Sequence, residues 1–357
     1  MSRGAPRRRV LLGASIAAAL FLLVAALTLS ARVGLWVSLP FRGYGASSAI
    51  VEIPSGTSLR QALRLLEAHG IVRRFPLAAP TLRLFGRGEG LKAGEYDFSR
   101  PMTPLEVLDR VIAGDVYFHR VTVLEGLRSD EIFGLLARAG FGTEEEYAAA
   151  FLDTSLIEAL DNQAVDLEGY LFPDTYALQK GTTPETIVAT MVARFREVMD
   201  PSWVEAAGAS GLTVRQAVTL ASLTERETAR EDEDPLVASV FHNRLRRGMR
   251  LQCDPTVIYA LAMRNRYDGN IRREDLKVDS LYNTYRYRGL TPGPIGNPGA
   301  AALRAAVEPA RTDYLFFVSM NNGRHAFSRS LEEHNRAVWR YQKKPFLVKR
   351  PAARRRS

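Results

Sequence analysis

LTVRQAVTLASLTERETA, residues 212–229, spaces its apolar side chains at helical period and carries two carboxylates among them. On a wheel of about 100° per residue, Glu227 falls beside Leu220 and Leu223, while Glu225 falls between Val214 and Val218. Residues two apart diverge by roughly 160°, so the two acids meet different surroundings. Neighbouring segments read as further helices. Residues 235–247 repeat Leu236, Val240, Phe241 and Leu245 before Gly248, and Asp254 at a cap position, with Pro255 in the first turn, starts a helix through Val257, Ile258 and Leu261. Across residues 282–299 the proline and glycine of GLTPGPIGNPG are too dense for helix or strand and predict a stiff loop, after which Asn297 and Pro298 open a helix in the same manner. Residues 314–320 and 324–328 flank Asn322-Gly323, a type I′ hairpin signal. Ser330 with Glu333 predicts a capping box on a last helix that carries Trp339.

This helix-rich character begins at about Glu168; upstream the chain repeats a strand, a capping residue, an amphipathic helix and a glycine. Residues 50–53 read as strand, Ser58 caps a helix with Leu59, Leu63 and Leu66 on one face, and Gly70 ends it. Residues 96–98 end a second strand, and Thr103 and Pro104 start a helix that closes at Gly114. Residues 118–124 alternate as a third strand before a helix from Ser129 to Gly140. The fold class is therefore α+β, with a small module over 48–117, a connecting α+β segment over 118–167 and a mostly helical domain over 168–342. Pattern alone leaves open whether the small module binds a ligand or serves as a spacer.

The 357 residues, 46% apolar and 24% charged, are comfortable for two domains with substantial cores. The single cysteine, Cys253, excludes a disulfide framework and a four-cysteine zinc site. The net charge of +9 looks like a nucleic-acid signal, but eleven of the basic residues lie in the tails 1–9 and 343–357, neither of which holds an acid, and the body without them is at −2. A nucleic-acid partner is not expected, because such a domain concentrates basic charge on its folded face. Residues 10–31 are uncharged and apolar. That length suits a membrane span of about 20 residues better than the roughly 7–15 of a secretory core. The four arginines ahead of it place the amino terminus in the cytoplasm. Residues 32–47 form a linker, and everything beyond is expected outside the cytoplasm.

No metal site is expected. The five histidines are scattered, and neither HExxH nor CxxC occurs. There is no phosphate loop or GxSxG elbow either. Glu225 and Glu227 diverge too far to form the pair of facing carboxylates, about 5–9 Å apart, used in ordinary glycoside hydrolysis. A carboxyl held among leucines has its proton affinity raised, as a general acid requires. Salt bridges to Arg226, Arg230 or Arg244 are the alternative use for both glutamates. The tyrosine- and amide-rich loop near 282–299 suits a carbohydrate, whose rings stack on aromatic faces.

Taken together, LASLTERET, PLVASVFHNRLRRGMRLQCDPTVIYAL, SLYNTYRYRGLTPGPIGNPGAAALRAAVEP, YLFFVS and HAFSRSLEEHN resemble the endolytic murein transglycosylase (YceG-like, MltG) family, as do VEIPSGTSLRQAL, LKAGEYDFSRPMTPLEVLDRV, VTVLEG and EGYLFPDTY nearer the amino terminus. The resemblance implies a single-pass inner-membrane lytic transglycosylase with a LysM-like module and a periplasmic catalytic domain. It would cut nascent glycan strands between N-acetylmuramic acid and N-acetylglucosamine and leave 1,6-anhydromuramoyl ends. It implies Glu227 as catalytic acid, from the second position of the family's E-x-E motif. Gln252, Asp254, Asn283, Thr284, Tyr285 and Asn297 match motif positions and are the expected substrate-binding residues. No cofactor is implied; the partners are glycan strands, membrane lipid and peptidoglycan synthases of the penicillin-binding class. Cys253 stands where the family more usually has serine or threonine.

Overall fold

The computed structural model describes residues 5–344, so the basic tails read from the sequence lie mostly outside the described residues. The chain divides into two compact units at His119/Arg120.

The first unit opens with α1 (Ala5–Ser38), whose stretch Gly13–Ser38 contains an 18-residue window of mean hydropathy 2.3 and is long and apolar enough to cross a membrane. It continues through β1 (Ala49–Ile53), α2 (Leu59–Ala68), α3 (Ala78–Leu84), β2 (Gly94–Phe98) and α4 (Pro104–Ala113). β1 and β2 pair antiparallel, Ala49 opposite Phe98 and Ile53 opposite Gly94. Alternation then buries Val51, Ile53, Tyr96 and Phe98 against Leu63, Leu66, Leu82, Leu108 and Val111. Ser58 caps α2 in a reciprocal box with Gln61, and Thr103 does the same for α4 with Glu106. Trp36, from the last turn of α1, is buried in this same core.

The second unit is mostly helical. Its elements are β3 (His119–Thr122), α5 (Ser129–Arg138), α6 (Glu144–Ala150), β4 (Thr175–Leu178), α7 (Pro184–Val198), α8 (Pro201–Ala209), α9 (Val214–Glu227), α10 (Asp234–Arg246), α11 (Asp254–Ala262), α12 (Ala300–Val307), β5 (Phe316–Ser319), β6 (His325–Ser328) and α13 (Leu331–Val338). β3 pairs with β4, and β5 pairs antiparallel with β6. The architecture is thus α+β with small two-stranded sheets. Residues 121–157, on the expected connecting segment, contribute Val121, Ile132, Phe133, Tyr147 and Ile157 to the same core as the later helices.

α9 is the centre of this unit. Residues 217–224 are all buried, and α8, α10, α11 and α12 pack around it. A helix so enclosed has few turns at which polar groups reach anything but protein.

Three local expectations need correction. α11 begins at Asp254, so its cap position belongs to Cys253, which makes no capping bond; the Asp254 carboxylate instead accepts from the Tyr285 hydroxyl at 2.5 Å. α12 begins at Ala300 after a Gly299 cap, and the Asn297 side chain turns away to distant backbone. The hairpin turn is longer than type I′, with positive φ at Asn321 and Gly323 rather than at Asn322 and Gly323. The Asn322 carboxamide oxygen accepts from Arg324 N–H, a local bond that competes with the tight turn.

Gly169 illustrates how closely the loop before β4 meets α9. Its φ is 88°, and a Cβ there would lie 2.5 Å from Pro294 Cγ and 2.9 Å from Val218 Cγ1. Gly181 has a similar φ of 83° with open space around it. Gly169→Ala should cost about 2–5 kcal/mol, adding a left-handed penalty of about 1–2 kcal/mol to overpacking of about 1–3 kcal/mol, while Gly181→Ala should cost only the former. Urea unfolding midpoints of the two variants check this, and equal losses would contradict it.

Candidate active site

Glu227 is the last residue of α9, with Thr228 already extended. The carboxyl therefore sits at the negative end of a helix dipole. Its surroundings come from the start of α11: the Cys253 side chain and the Asp254 backbone N–H lie beside it, and each favours its charged form. Burial pushes the Glu227 carboxyl up to about 7; the Cys253 bond opposes the rise, the neighbouring Asp254 charge adds to it, and the Arg244 cation and Asp254 N–H oppose it. Glu227 still keeps part of its surface open to solvent. Burial and the Glu227 charge hold the Cys253 thiol well above its ordinary value, so it is the neutral S–H partner of the carboxyl.

Two segments distant in sequence are stitched together beside it. Gln252 N–H donates to the Thr284 carbonyl at 3.2 Å and Cys253 N–H to Thr284 Oγ1 at 3.0 Å. Thr284 Oγ1 also shares a 2.9 Å bond with Thr256 Oγ1. Asn283 is fully buried: its amide donates to Leu276 and Val278 carbonyls and its oxygen accepts from Tyr285 N–H. Thus Glu227, Gln252, Asp254 and Tyr285 come together with accessible surface, while Asn283 and Thr284 are buried braces that hold Tyr285 and the turn into α11. Gln252 has φ 51°, a left-handed conformation costly for a residue with a side chain. Strain of this kind, immediately before Cys253-Asp254, is held by the bond to Thr284.

Arg244 on α10 is the buried cation of the site. Its Nε donates to the Leu315 carbonyl and its Nη1 to the Leu251 carbonyl, both at 2.6 Å, and the guanidinium lies 5.2 Å from the Phe316 ring centroid. It forms no ion pair with either glutamate among the described residues. Arg226 donates to the Gly126 carbonyl, and Arg230 pairs with Asp232. The salt-bridge alternative for the two acids is therefore not realised.

Glu225 faces the opposite side of α9. Its Oε2 accepts from Gly299 N–H at 3.0 Å, at the start of α12. Burial raises it to about 7; the Gly299 bond opposes this and the charges of Glu125 and Glu231 add to it. The same side of α9 carries two more ties to the Pro/Gly loop: Arg215 Nε donates to the Pro292 carbonyl, and Ser222 Oγ accepts from Ile295 N–H, both at 3.0 Å. One side of α9 therefore fixes the loop, and the other presents Glu227.

Asn297 lies on the loop side, fully buried. Its oxygen accepts from Gly169 and Leu171 N–H, and its amide donates to the Leu127 carbonyl and to Glu168. Glu168 was not a candidate from sequence, though it stands in EGYLFPDTY. Its buried carboxyl accepts from Ser129 N–H and Oγ, from Asn297 and, at 3.3 Å, from the Tyr259 hydroxyl. Burial nevertheless raises it to about 8. No periodicity signals such a residue, since its partners are 39, 91 and 129 positions away. Among the described residues no group of three or more His, Cys, Asp or Glu side chains could hold a metal ion.

An endolytic murein transglycosylase of Bacillus subtilis (strain 168) is 31% identical over 307 residues, covering 82% of this chain and 84% of that protein. Another, of Streptococcus pneumoniae serotype 2 (strain D39), is 29% identical over 332 residues; the match covers 84% of this chain and 59% of that protein. The crystal structure of a yceG-like protein, lmo1499, of Listeria monocytogenes aligns with TM-score 0.56 and 31% identity over 81% of this chain and 98% of that one. The profile of the YceG-like family matches residues 51–340, and with these relatives alongside, the chain belongs to the YceG-like family.

Proposed function

We propose that this protein is an endolytic murein transglycosylase, anchored in the membrane by α1 with its amino terminus cytoplasmic. It cuts nascent glycan between N-acetylmuramic acid and N-acetylglucosamine, leaves 1,6-anhydromuramoyl ends and so terminates strand elongation. The observation that carries the reading is Glu227: a carboxyl raised to about 7 at the end of a buried helix, on a residue that is itself only partly buried. The shared name of the curated relatives supports the same activity. The first unit, with its own core, supports a LysM-like module that contacts glycan or spaces the catalytic unit from the membrane. Synthases that supply the strand are the further partners of this reading.

One such carboxyl suffices for the chemistry. Protonated Glu227 gives its proton to the leaving glycosidic oxygen as the bond to muramoyl C1 breaks. The resulting carboxylate takes the proton of the muramoyl C6 hydroxyl as that oxygen closes on C1. The proton count balances and no water enters. Exposed Gln252 and Asp254 and half-buried Tyr285 surround the acid and are the groups positioned to meet sugar; Asn283, Thr284 and Asn297 act through the loops they hold.

A hydrolytic muramidase is the second reading, favoured by one observation: the charge of a second carboxylate, Asp254, held by Tyr285, bears on the Glu227 carboxyl. Product chemistry separates the two. Digestion of uncrosslinked glycan should yield fragments ending in anhydromuramic acid. Ends that carry an added water and reduce with borohydride would establish the hydrolase.

Glu227→Gln cannot release a proton, so turnover should fall by at least about 10²–10⁴-fold with the fold retained. Glu225→Gln keeps an acceptor for Gly299 N–H and should leave turnover within a few-fold. Near-normal turnover in folded Glu227→Gln would remove it from the reaction, and this also tests a non-catalytic glycan-binding scaffold.

The acid must begin protonated, and Glu227 titrates at about 7. The kcat/KM profile should therefore fall as pH rises through about 7, with slope approaching one decade per unit. A profile flat from pH 5 to 9 would contradict the assignment.

A further inference from the structure

We infer that α3 and the segment leading into it form a second contact with the bilayer, resting on anionic phospholipid headgroups beside the entry point of α1; this rests on the reading of α1 as the membrane anchor. The segment IVRRFPLAAPTLRLFGR, residues 71–87, carries four arginines and no acid. Ala78, Ala79, Thr81 and Leu82 of α3 face the core of the first unit. Its outer side presents apolar groups instead: Leu77 is 40%, Leu84 87% and Phe85 44% exposed. Leu77, Pro80 and Leu84 share that side at helical spacing, with Arg83 alongside. Among the described residues Arg73, Arg74 and Arg83 make no ion pair, while Arg87 is taken by Asp109 at 2.7 Å.

The height of this segment follows from its link to α1. The Trp36 indole N–H donates to the Arg73 carbonyl at 2.7 Å, and its ring stacks on Phe75 with centroids 5.1 Å apart. The uncharged stretch ends at Ala31. At about 1.5 Å per residue, Trp36 stands roughly 7–8 Å beyond it, within the headgroup layer, which adds about 5–8 Å on each side of a core of about 30 Å. Arg73 and Phe75 touch Trp36 and share its level, and Leu77 is only two residues further. Arginines beside exposed leucine and phenylalanine at that depth match an anionic headgroup surface: the guanidinium groups meet phosphate while the apolar side chains enter the acyl boundary.

The full chain in lipid nanodiscs tests this. Leu84→Cys and, separately, Leu20→Cys are labelled with an environment-sensitive fluorophore and quenched with lipids spin-labelled near the headgroup or along the acyl chain; the buried Cys253 background is read from unsubstituted protein. The label at position 84 should be quenched by shallow spin labels at least about twofold more in anionic than in zwitterionic discs. Replacing Arg73, Arg74 and Arg83 together by alanine should remove that difference, with turnover on soluble glycan as the check that the protein remains folded. Quenching at position 20 but not at 84 would overturn the inference and leave the anchor standing. No quenching at position 20 would overturn the anchor and this contact with it. Quenching at 84 that ignores lipid charge or the arginines would overturn the assignment to anionic headgroups.

Discussion

Burial of α9 on all sides is the constraint from which the site follows. A helix with eight consecutive buried residues can keep a carboxyl only near an end, and Glu225 and Glu227 both occupy its last turn. There the helix dipole disfavours an anion, and burial disfavours it further. Burial likewise raises Glu168, outside any helix, and Asp234, at the start of α10 beside the charges of Glu225 and Glu231, so that all four carboxyls stand at about 7 or 8. The folded protein holds protons that the unfolded chain has released between about pH 4 and 8, so folding stability is lost as pH rises through that window. Conformational stability is traded for carboxyls that remain acids near neutrality.

The two glutamates show how a divergence of two helical positions separates two tasks. Glu225 accepts from the first N–H of α12 and, with Arg215 and Ser222, holds residues 292–299 against α9. Glu227 meets the turn into α11. A rigid loop on one side and a carboxyl of raised proton affinity on the other are obtained from the same three turns of helix. The loop in turn carries Asn297, whose bonds to Gly169, Leu171 and Leu127 draw the segments around 127 and 170 onto the opposite flank.

Much of this was legible because it is local. The periodicity of residues 212–229, the divergence of its acids, the boxes at Ser58 and Thr103 and the apolar amino-terminal helix all depend on neighbours within a few positions. What sequence could not supply depends on partners far away. Asp254 reads as a helix cap because Pro255 follows, yet Tyr285, 31 positions on, takes its carboxylate. Asn297 reads as a cap for the same reason, and its amide is claimed by residues 126 to 170 positions distant. α3, short and without a side-chain cap, gave no start signal at all. Asn283 and Thr284 matched a binding motif, but a motif marks that residues matter without saying whether they face the ligand or hold what does.

That distinction bears on the strained turn at Gln252. Its left-handed backbone would relax if nothing opposed it. The opposing groups are Thr284, through its carbonyl and hydroxyl, and Asn283, which fixes the loop that carries Thr284. Relaxation would swing Cys253 and the Asp254 N–H, both of which contact the Glu227 carboxyl. The buried pair Asn283-Thr284 therefore supports the turn whose Cys253 and Asp254 bear on the Glu227 carboxyl. Its hydrogen bonds bear on the carboxyl through backbone geometry, as supporting groups hold a site in place from behind it.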